Sequence, residues 1–186
     1  MTLLIAGFVC LGLPACSGGP ARTETPAASQ AAAAPLLLSC SESVGQQGQD
    51  HETVTGGVEG LILPGSDDPA GLYPIGAGRQ RYYIYKAFLA VAASAAPFAT
   101  VAIARPASAT LVYGSPSRIG ALFSTRSGQG LLTASRRKVR LPVCGPRFTG
   151  FTGGIIVAGP TCVTFEVFSR SARTASVTVP IGPAAC

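Results

Sequence analysis

Short apolar stretches with period-two alternation recur along the chain, and Gly and Pro residues separate them. In residues 138–143, Val139, Leu141 and Val143 fall on one face of an extended chain, opposite two bases and a proline. The 23 Gly and 15 Pro residues interrupt the sequence too often for long helices. The pattern therefore predicts an all-β domain whose short strands each bury one face.

Two alternating stretches near the end of the chain predict a β-hairpin. Val163, Phe165 and Val167 share one face of the first stretch, and residues 176–182 alternate in the same way after a loop at residues 169–175. Further candidate strands lie upstream, at residues 58–63, 81–91, 98–104, 110–113 and 153–159.

One upstream stretch combines helix and strand signals. Residues 86–96 are rich in alanine, which favours a helix, but they follow a run of tyrosines and end before Pro97, so we predict strand for their first half. Roughly seven to nine short strands predict an antiparallel β-sandwich of immunoglobulin-like architecture, stapled by disulfides. A small closed β-barrel is the alternative.

The first 35 residues lack the composition of a packed domain. The apolar run at residues 3–13 has roughly half the ~20 residues of a membrane-spanning helix, which is the length of a signal-peptide core. Residues 17–35 contain no aromatic residue and no Leu, Ile, Val or Met, so they predict a flexible tether. Such a tether reaches roughly 25 Å on average and about 60 Å when extended. Residues 36–186 predict a single domain.

Directly after the apolar run, the segment LPAC at residues 13–16 resembles the lipobox of bacterial lipoproteins. The resemblance implies that residues 1–15 are a signal peptide, that Cys16 carries diacylglycerol, and that its amino group takes a further acyl chain such as palmitate. Two or three acyl chains anchor a protein stably. We therefore expect residues 16–35 to tether the domain to the extracytoplasmic face of the cell membrane.

Two features of this leader depart from the lipoprotein pattern. Pro14 is uncommon at its position, and no Lys or Arg precedes Arg22, whereas a signal peptide normally begins with a basic segment. A start codon upstream of Met1 would supply that segment. The alternatives are an uncleaved anchor and ordinary secretion, although Leu13 occupies a position where the general signal peptidase favours a small residue.

Four cysteines remain after loss of the leader and lipidation of the first mature residue. They include no C-x-x-C pair, and the chain has one histidine, so the sequence predicts no structural zinc and no other cofactor. In an exported protein, four cysteines favour two disulfides. Of the three pairings, we favour Cys40 with Cys144, which fastens the start of the domain to its middle. Cys162 would then pair with Cys186 and fasten the chain end.

The last part of the chain has a spaced pattern of glycines, prolines and cysteines. It comprises CG at residues 144–145, GFTGG at 150–154, PTCV at 160–163, IG at 181–182 and the final Cys186. This pattern resembles the C-terminal half of a group of exported or lipidated actinobacterial proteins of unknown function. The resemblance supports an exported β domain with paired cysteines, and it implies no active site.

The charges are unevenly distributed. Residues 36–70 hold six acids and no base, whereas residues 71–186 hold thirteen bases and one acid, Glu166. In one interpretation, the acidic segment folds against the basic part and offsets its self-repulsion. In the other, a cationic face binds anionic lipid headgroups or an anionic wall polymer.

Candidate catalytic and metal-binding residues are few. His51 lies between two acids in a polar segment that predicts a loop, and no serine stands in a G-x-S-x-G elbow. Glu166 has no second carboxylate nearby in sequence, so we expect it to pair with an arginine on the sheet surface. Asp67 and Asp68 lack the alternating oxygen ligands of an EF-hand loop and predict a turn. The sequence predicts no catalytic site and no metal site.

Three other clusters have structural explanations. The glycines at residues 76–78 and 150–154 match no phosphate-binding or dinucleotide motif, so we expect turns with positive φ. The basic segment RRKVR at residues 136–140 accompanies no RNA- or DNA-binding pattern, and no nucleic-acid partner is predicted. Tyr83 and Tyr85 would share one strand face and Tyr82 the opposite one, which places part of this cluster in a core.

These observations predict a membrane-anchored lipoprotein of the cell envelope whose non-enzymatic β-sandwich is an interaction or structural module. The first alternative is a module whose basic surface binds anionic lipid or wall polymer. The second is an envelope hydrolase, which would need a pocket that joins His51 or Glu166 to another polar group.

Overall fold

The computed structural model describes residues 34–44, 53–54, 58–62, 72–77, 80–125, 128–169, 175–184 and 186. These ranges contain eleven strands and two short α-helices. The strands are β1 (Leu36–Leu37), β2 (Thr53–Val54), β3 (Val58–Ile62), β4 (Leu72–Ala77), β5 (Gln80–Ala92), β6 (Phe98–Arg105), β7 (Thr110–Gly114), β8 (Lys138–Pro142), β9 (Phe148–Val157), β10 (Thr161–Ser169) and β11 (Ala175–Ile181). The helices are α1 (Pro116–Ser124) and α2 (Gly128–Ala134).

One sheet, here called sheet A, has the strand order β1-β8-β6-β10-β11. Its neighbouring strands are antiparallel except that β1 runs parallel to β8. The hairpin of β10 and β11 places Val163 opposite Val179 and Phe165 opposite Val177. The predicted C-terminal hairpin is therefore confirmed.

The other sheet, sheet B, has the order β2-β3-β5-β9-β7. Strand β5 is the longest, and β4 pairs with its first part while β3 pairs with its last part. The alanine-rich stretch remains a strand as far as Ala92, which pairs with Phe148 of β9. Strand was predicted only for the first half of this stretch, and the continuous ladder to β9 explains why the helix propensity of alanine does not prevail.

The two sheets face each other across one apolar core. Leu89, Leu111 and Phe151 of sheet B and Leu141 and Phe165 of sheet A are almost completely buried there. Full burial of such side chains contributes roughly 1.5–3 kcal/mol each. The two sheets are separate, which excludes the closed β-barrel within the described ranges. This confirms the predicted β-sandwich of immunoglobulin-like architecture, meaning two facing and mainly antiparallel sheets.

A pair of helices on the outer face of sheet B was not predicted. Ile119 of α1 and Leu131 of α2 pack against Ile84 and Ile156 of the sheet and form a second, smaller core. Helix α1 begins with a recognisable signal, because the Ser115 hydroxyl accepts a hydrogen bond from the next turn and a proline follows it. Within the described ranges, neither these helices nor any other element is a helix long and apolar enough to cross a bilayer.

The glycines of residues 150–154 lie inside strand β9, so the expectation that they form turns was wrong. A Cβ on Gly153 would overlap the carbonyl oxygen of Val112, and a Cβ on Gly154 would lie 2.6 Å from the carbonyl oxygen of Tyr85. Glycine is therefore present because neighbouring strands and rings approach the backbone closely. The turn predicted at Gly76 was also wrong, because this residue lies in β4, and Gly78 falls outside the described residues.

Both predicted disulfides are present in the structure. Cys40 follows β1 and bonds to Cys144, which follows β8, with their Cα atoms 5.6 Å apart. Cys162 in β10 bonds to Cys186 after β11, with a Cα separation of 5.7 Å. Strands β1 and β8 end at the same end of sheet A at which β11 begins. The first disulfide follows the ends of β1 and β8 and the second follows the end of β11, so the two bonds lie at opposite ends of the sheet.

We expect the loss of the Cys40–Cys144 bond to destabilise the domain more than the loss of the Cys162–Cys186 bond. The sequence separations are 104 and 24 residues. Because a longer closed loop restricts the unfolded chain more, the free energies of unfolding should fall by about 5 and about 3 kcal/mol. Urea unfolding of the two double Cys→Ala variants measures both values. An equal or reversed order would contradict this expectation.

Tyr113 carries a buried hydroxyl in the core between the sheets. Its strand neighbour is Gly153 of β9, and its hydroxyl has no hydrogen-bond partner within the described part of the chain. Burial raises the pKa of this phenol far above its ordinary value, because the charged form would lose its hydration.

Replacing Tyr113 by Phe should raise the free energy of unfolding by about 1 kcal/mol at neutral pH, because an unpaired buried hydroxyl is removed. The folded pKa lies above the unfolded value of about 10, so the unfolded chain loses this proton first, and stability falls as the pH rises above 10. Tyr113→Phe should therefore lose less stability than the parent in that range. Tyr73→Phe, at an exposed position, is the control, and a Tyr113→Phe variant that unfolds more easily at pH 7 would refute the expectation.

Candidate functional surface

The polar residues considered as catalytic, metal-binding or lipid-bearing candidates do not come together in the part of the chain that the structure describes. Cys16, His51, Asp67 and Asp68 lie outside the described residues. Glu166 lies on the outer face of β10, where its neighbours across the sheet are Ala102 and Ser176, and neither is the arginine that we expected. Within the described ranges, no three His, Cys, Asp or Glu residues come close enough together to hold a metal ion.

The first two bases of the segment at residues 136–140 have structural roles. The Arg136 guanidinium donates to the carbonyl oxygens of Thr133, at 2.9 Å, and Ser135, at 2.7 Å, and so caps the end of α2. Its main chain also exchanges hydrogen bonds with Leu111 of β7. This arginine therefore joins the helix layer to sheet B.

Arg137 is enclosed by main-chain oxygens. Its Nη1 and Nη2 atoms donate to the carbonyl oxygens of Ile103 (2.7 Å), Ala104 (3.3 Å), Pro106 (2.9 Å), Ala107 (2.6 Å) and Ala109 (3.1 Å). Loss of hydration lowers the pKa of this guanidinium. The side chain holds the connection between β6 and β7 in place, and its donors are directed to the protein and not to a ligand.

Arg137→Lys should lower the free energy of unfolding by about 2–3 kcal/mol. A lysine ammonium has three donors at one point, so it cannot reach carbonyl oxygens on both sides of the turn, and some would lose their partners. Urea unfolding measures the loss. Lys138→Gln, one residue further on at an exposed position, is the control and should change stability by less than about 0.5 kcal/mol. Equal midpoints for the two variants would show that the carbonyl contacts contribute nothing.

The remaining bases of the segment belong to the outward surface of sheet A, here called the open face. Its residues are Leu37 of β1, Phe98, Thr100, Ala102 and Arg105 of β6, Lys138, Arg140 and Pro142 of β8, Thr164, Glu166 and Phe168 of β10, and Ser176 and Thr178 of β11. Among the described elements, the helices pack against β4, β7 and β9 of sheet B, which leaves the open face without a covering element.

One row of the open face combines apolar and cationic side chains. Strand register aligns Leu37 with Arg140, Arg140 with Thr100, and Thr100 with Phe168. The ends of the row are exposed apolar side chains, since 62% of Leu37 and 37% of Phe168 are accessible to solvent. With strands roughly 4.8 Å apart, the two lie about 14 Å from each other.

Aromatic stacking fixes the central cation of this row. The guanidinium carbon of Arg140 lies 3.3 Å from the centre of the Phe98 ring, so the planar group rests against the sheet. Lys138 on the same strand and Arg105 on β6 are exposed. The open face therefore carries three cations and one acid, Glu166.

The tyrosine cluster has a packing role, as its alternation predicted. Tyr85 is buried between the sheets with Tyr83 against it, while Tyr82 packs against the helix layer on the opposite face. On that side the Lys86 ammonium lies 4.7 Å from the centre of the Tyr73 ring and 5.6 Å from the centre of the Phe123 ring. This cation lies near rings of β4 and α1 and is a contact between the sheet and the helix.

The open face can bind anions through its cations and apolar groups through its two end residues. Alternation in the sequence identified Lys138 and Arg140 as outward residues, but only strand register shows that Leu37 and Phe168 lie in the same row. Comparisons of the chain with protein-family models, with curated proteins and with solved structures found no match. A functional proposal therefore depends on the residues of this chain.

Proposed function

We propose that the protein is a membrane-anchored lipoprotein of the cell envelope whose β-sandwich is a non-enzymatic interaction module. Lipid on Cys16 holds it at the extracytoplasmic face of the membrane, and residues 17–35 form the tether. The observation that carries the proposal is the pair of disulfides across the two ends of sheet A, because such bonds persist in oxidising compartments outside the cytoplasm.

The place where the tether meets the domain supports this arrangement. Residues 34–35 are exposed, and they lead directly into β1, the edge strand of sheet A. A tether that leaves from a sheet edge does not disturb the core. Its roughly 25 Å average reach keeps the domain within one domain diameter of the membrane surface.

The surroundings of Glu166 favour a binding module over an envelope hydrolase. This carboxylate stands on an open sheet face beside Ala102 and Ser176, whereas a catalytic acid normally lies in a cleft with a second polar group. The open face instead offers cations and apolar side chains on the outward surface of a sheet. Such a surface suits a large partner better than a small substrate.

Replacing Cys16 by Ala tests the anchor. In a bacterial host that processes lipoproteins, the parent should sediment with membranes, whereas Cys16→Ala should lose the attached lipid and leave the membrane fraction. Mass spectrometry of the amino-terminal peptide identifies the acyl chains. Cys10→Ala is the matched control, because it changes the other cysteine of the leader and should leave membrane attachment unchanged.

Two results would overturn the proposed anchor. One is a Cys16→Ala variant that sediments with membranes as fully as the parent does. The other is a parent chain found in the culture medium with no lipid on its amino terminus, which would instead indicate ordinary secretion.

A further inference from the structure

We propose that the open face of sheet A docks on the anionic phospholipid headgroups of the membrane to which the tether is attached. This inference rests on the proposed lipid anchor, and it adds the surface, its orientation and its ligand. Two observations support the docking proposal. One row of the open face ends in two exposed apolar side chains, and three cations lie within or beside that row.

The charges of the open face match an anionic membrane. Among the residues of this face, Lys138, Arg140 and Arg105 are cations and Glu166 is the one acid, which is also the one acid after residue 71. Each basic residue near an anionic bilayer strengthens binding by roughly fivefold. The guanidinium of Arg140 is already held in place by the Phe98 ring, so it loses little side-chain freedom when it meets a phosphate.

The apolar residues of the open face suit the depth of the headgroup region. Leu37 and Phe168 stand at the two ends of the row, so both can enter the boundary between headgroups and acyl chains while Arg140 between them contacts phosphate. Because sheets twist, one row and not the whole face makes the closest approach.

The position of the tether favours this face over others. The tether joins the chain beside Leu37, at the edge of sheet A, so docking of the open face leaves the tether at the level of the membrane. Attachment gives an effective concentration on the order of millimolar at the surface, which makes weak docking sufficient. The outer side of sheet B carries the helices, and its exposed Tyr73 is in contact with Lys86.

The chain contains no tryptophan, so a single introduced tryptophan can report which face meets lipid. Phe168→Trp places the probe on the open face, and Tyr73→Trp places it on the exposed part of the opposite side. Each lipidated variant is reconstituted into vesicles of phosphatidylglycerol with brominated acyl chains, or of the corresponding phosphatidylcholine. Unchanged urea midpoints and intact disulfides show that both variants are folded.

We expect the fluorescence of Phe168→Trp to shift to shorter wavelength and to be quenched in the anionic vesicles, and that of Tyr73→Trp to change little. In neutral vesicles, quenching of Phe168→Trp should fall to the level of Tyr73→Trp. Equal quenching of the two variants in anionic vesicles, or none for Phe168→Trp, would overturn the proposal.

A second experiment removes charges from the unlipidated Cys16→Ala chain, produced without residues 1–15, in the Phe168→Trp background. Lys138→Gln and Arg105→Gln should each weaken binding to phosphatidylglycerol vesicles roughly fivefold. Arg118→Gln, on the exposed side of α1, is the matched control and should change binding by less than about twofold. Raising the salt from about 0.1 M to 1 M should release the chain, because the Debye length shortens from about 10 Å to 3 Å.

The two experiments separate failure of docking from failure of the anchor. If lipid is absent from Cys16 but the unlipidated chain binds anionic vesicles through Lys138 and Arg105, the anchor fails and the docking surface stands. If the lipidated chain is attached but Phe168→Trp is not quenched, the anchor stands and docking is refuted. Retention by an anionic wall polymer without any binding to vesicles would also refute it.

Discussion

The ladder between β5 and β9 is the interaction on which the rest of the structure depends. It pairs the two strands continuously, from Tyr83 with Val157 to Ala92 with Phe148. Alternate residues of this ladder enter the core between the sheets, and Ile84 and Ile156 on the other face pack against the helices, so both apolar cores share these two strands. Gly153 and Gly154 allow the neighbouring backbones and rings to approach, which a side chain at either position would prevent. Loss of this ladder would therefore separate all three layers.

Sheet A is held by different means, and no element of the described ranges covers its outer face. The inner residues of sheet A pack on sheet B, and a disulfide links strands at each of its two ends. Arg137 holds the connection between β6 and β7 through hydrogen bonds to its carbonyl oxygens. In the proposed arrangement, a tether at the edge of the same sheet brings the open face to the membrane surface, where anionic headgroups lie.

Much of the fold was predictable because strand alternation depends on local geometry alone. The inward faces of β8 and β10, the hairpin of β10 with β11 and the strand character of β5 follow from period two. The short helices were missed because they occupy a segment whose glycines and prolines resemble turns, although Ser115 and Pro116 carry a helix-start signal. The glycines of β9 were assigned to turns because their cause, close contact with other strands, is not local.

The sequence by itself determined the strand class and the inward side chains, since both depend on composition or on neighbours along the chain. It also predicted the two disulfides, which the structure contains, and a leader with a lipid-bearing Cys16, which stays a prediction. Only the tertiary structure decided which bases are enclosed and which lie on the outer face: Arg137 lies among carbonyl oxygens, whereas Arg140 stacks on Phe98. It also decided that Leu37 and Phe168 share a row. Register between strands distant in sequence sets both outcomes, because pairing and packing select one alignment among many that the local pattern permits.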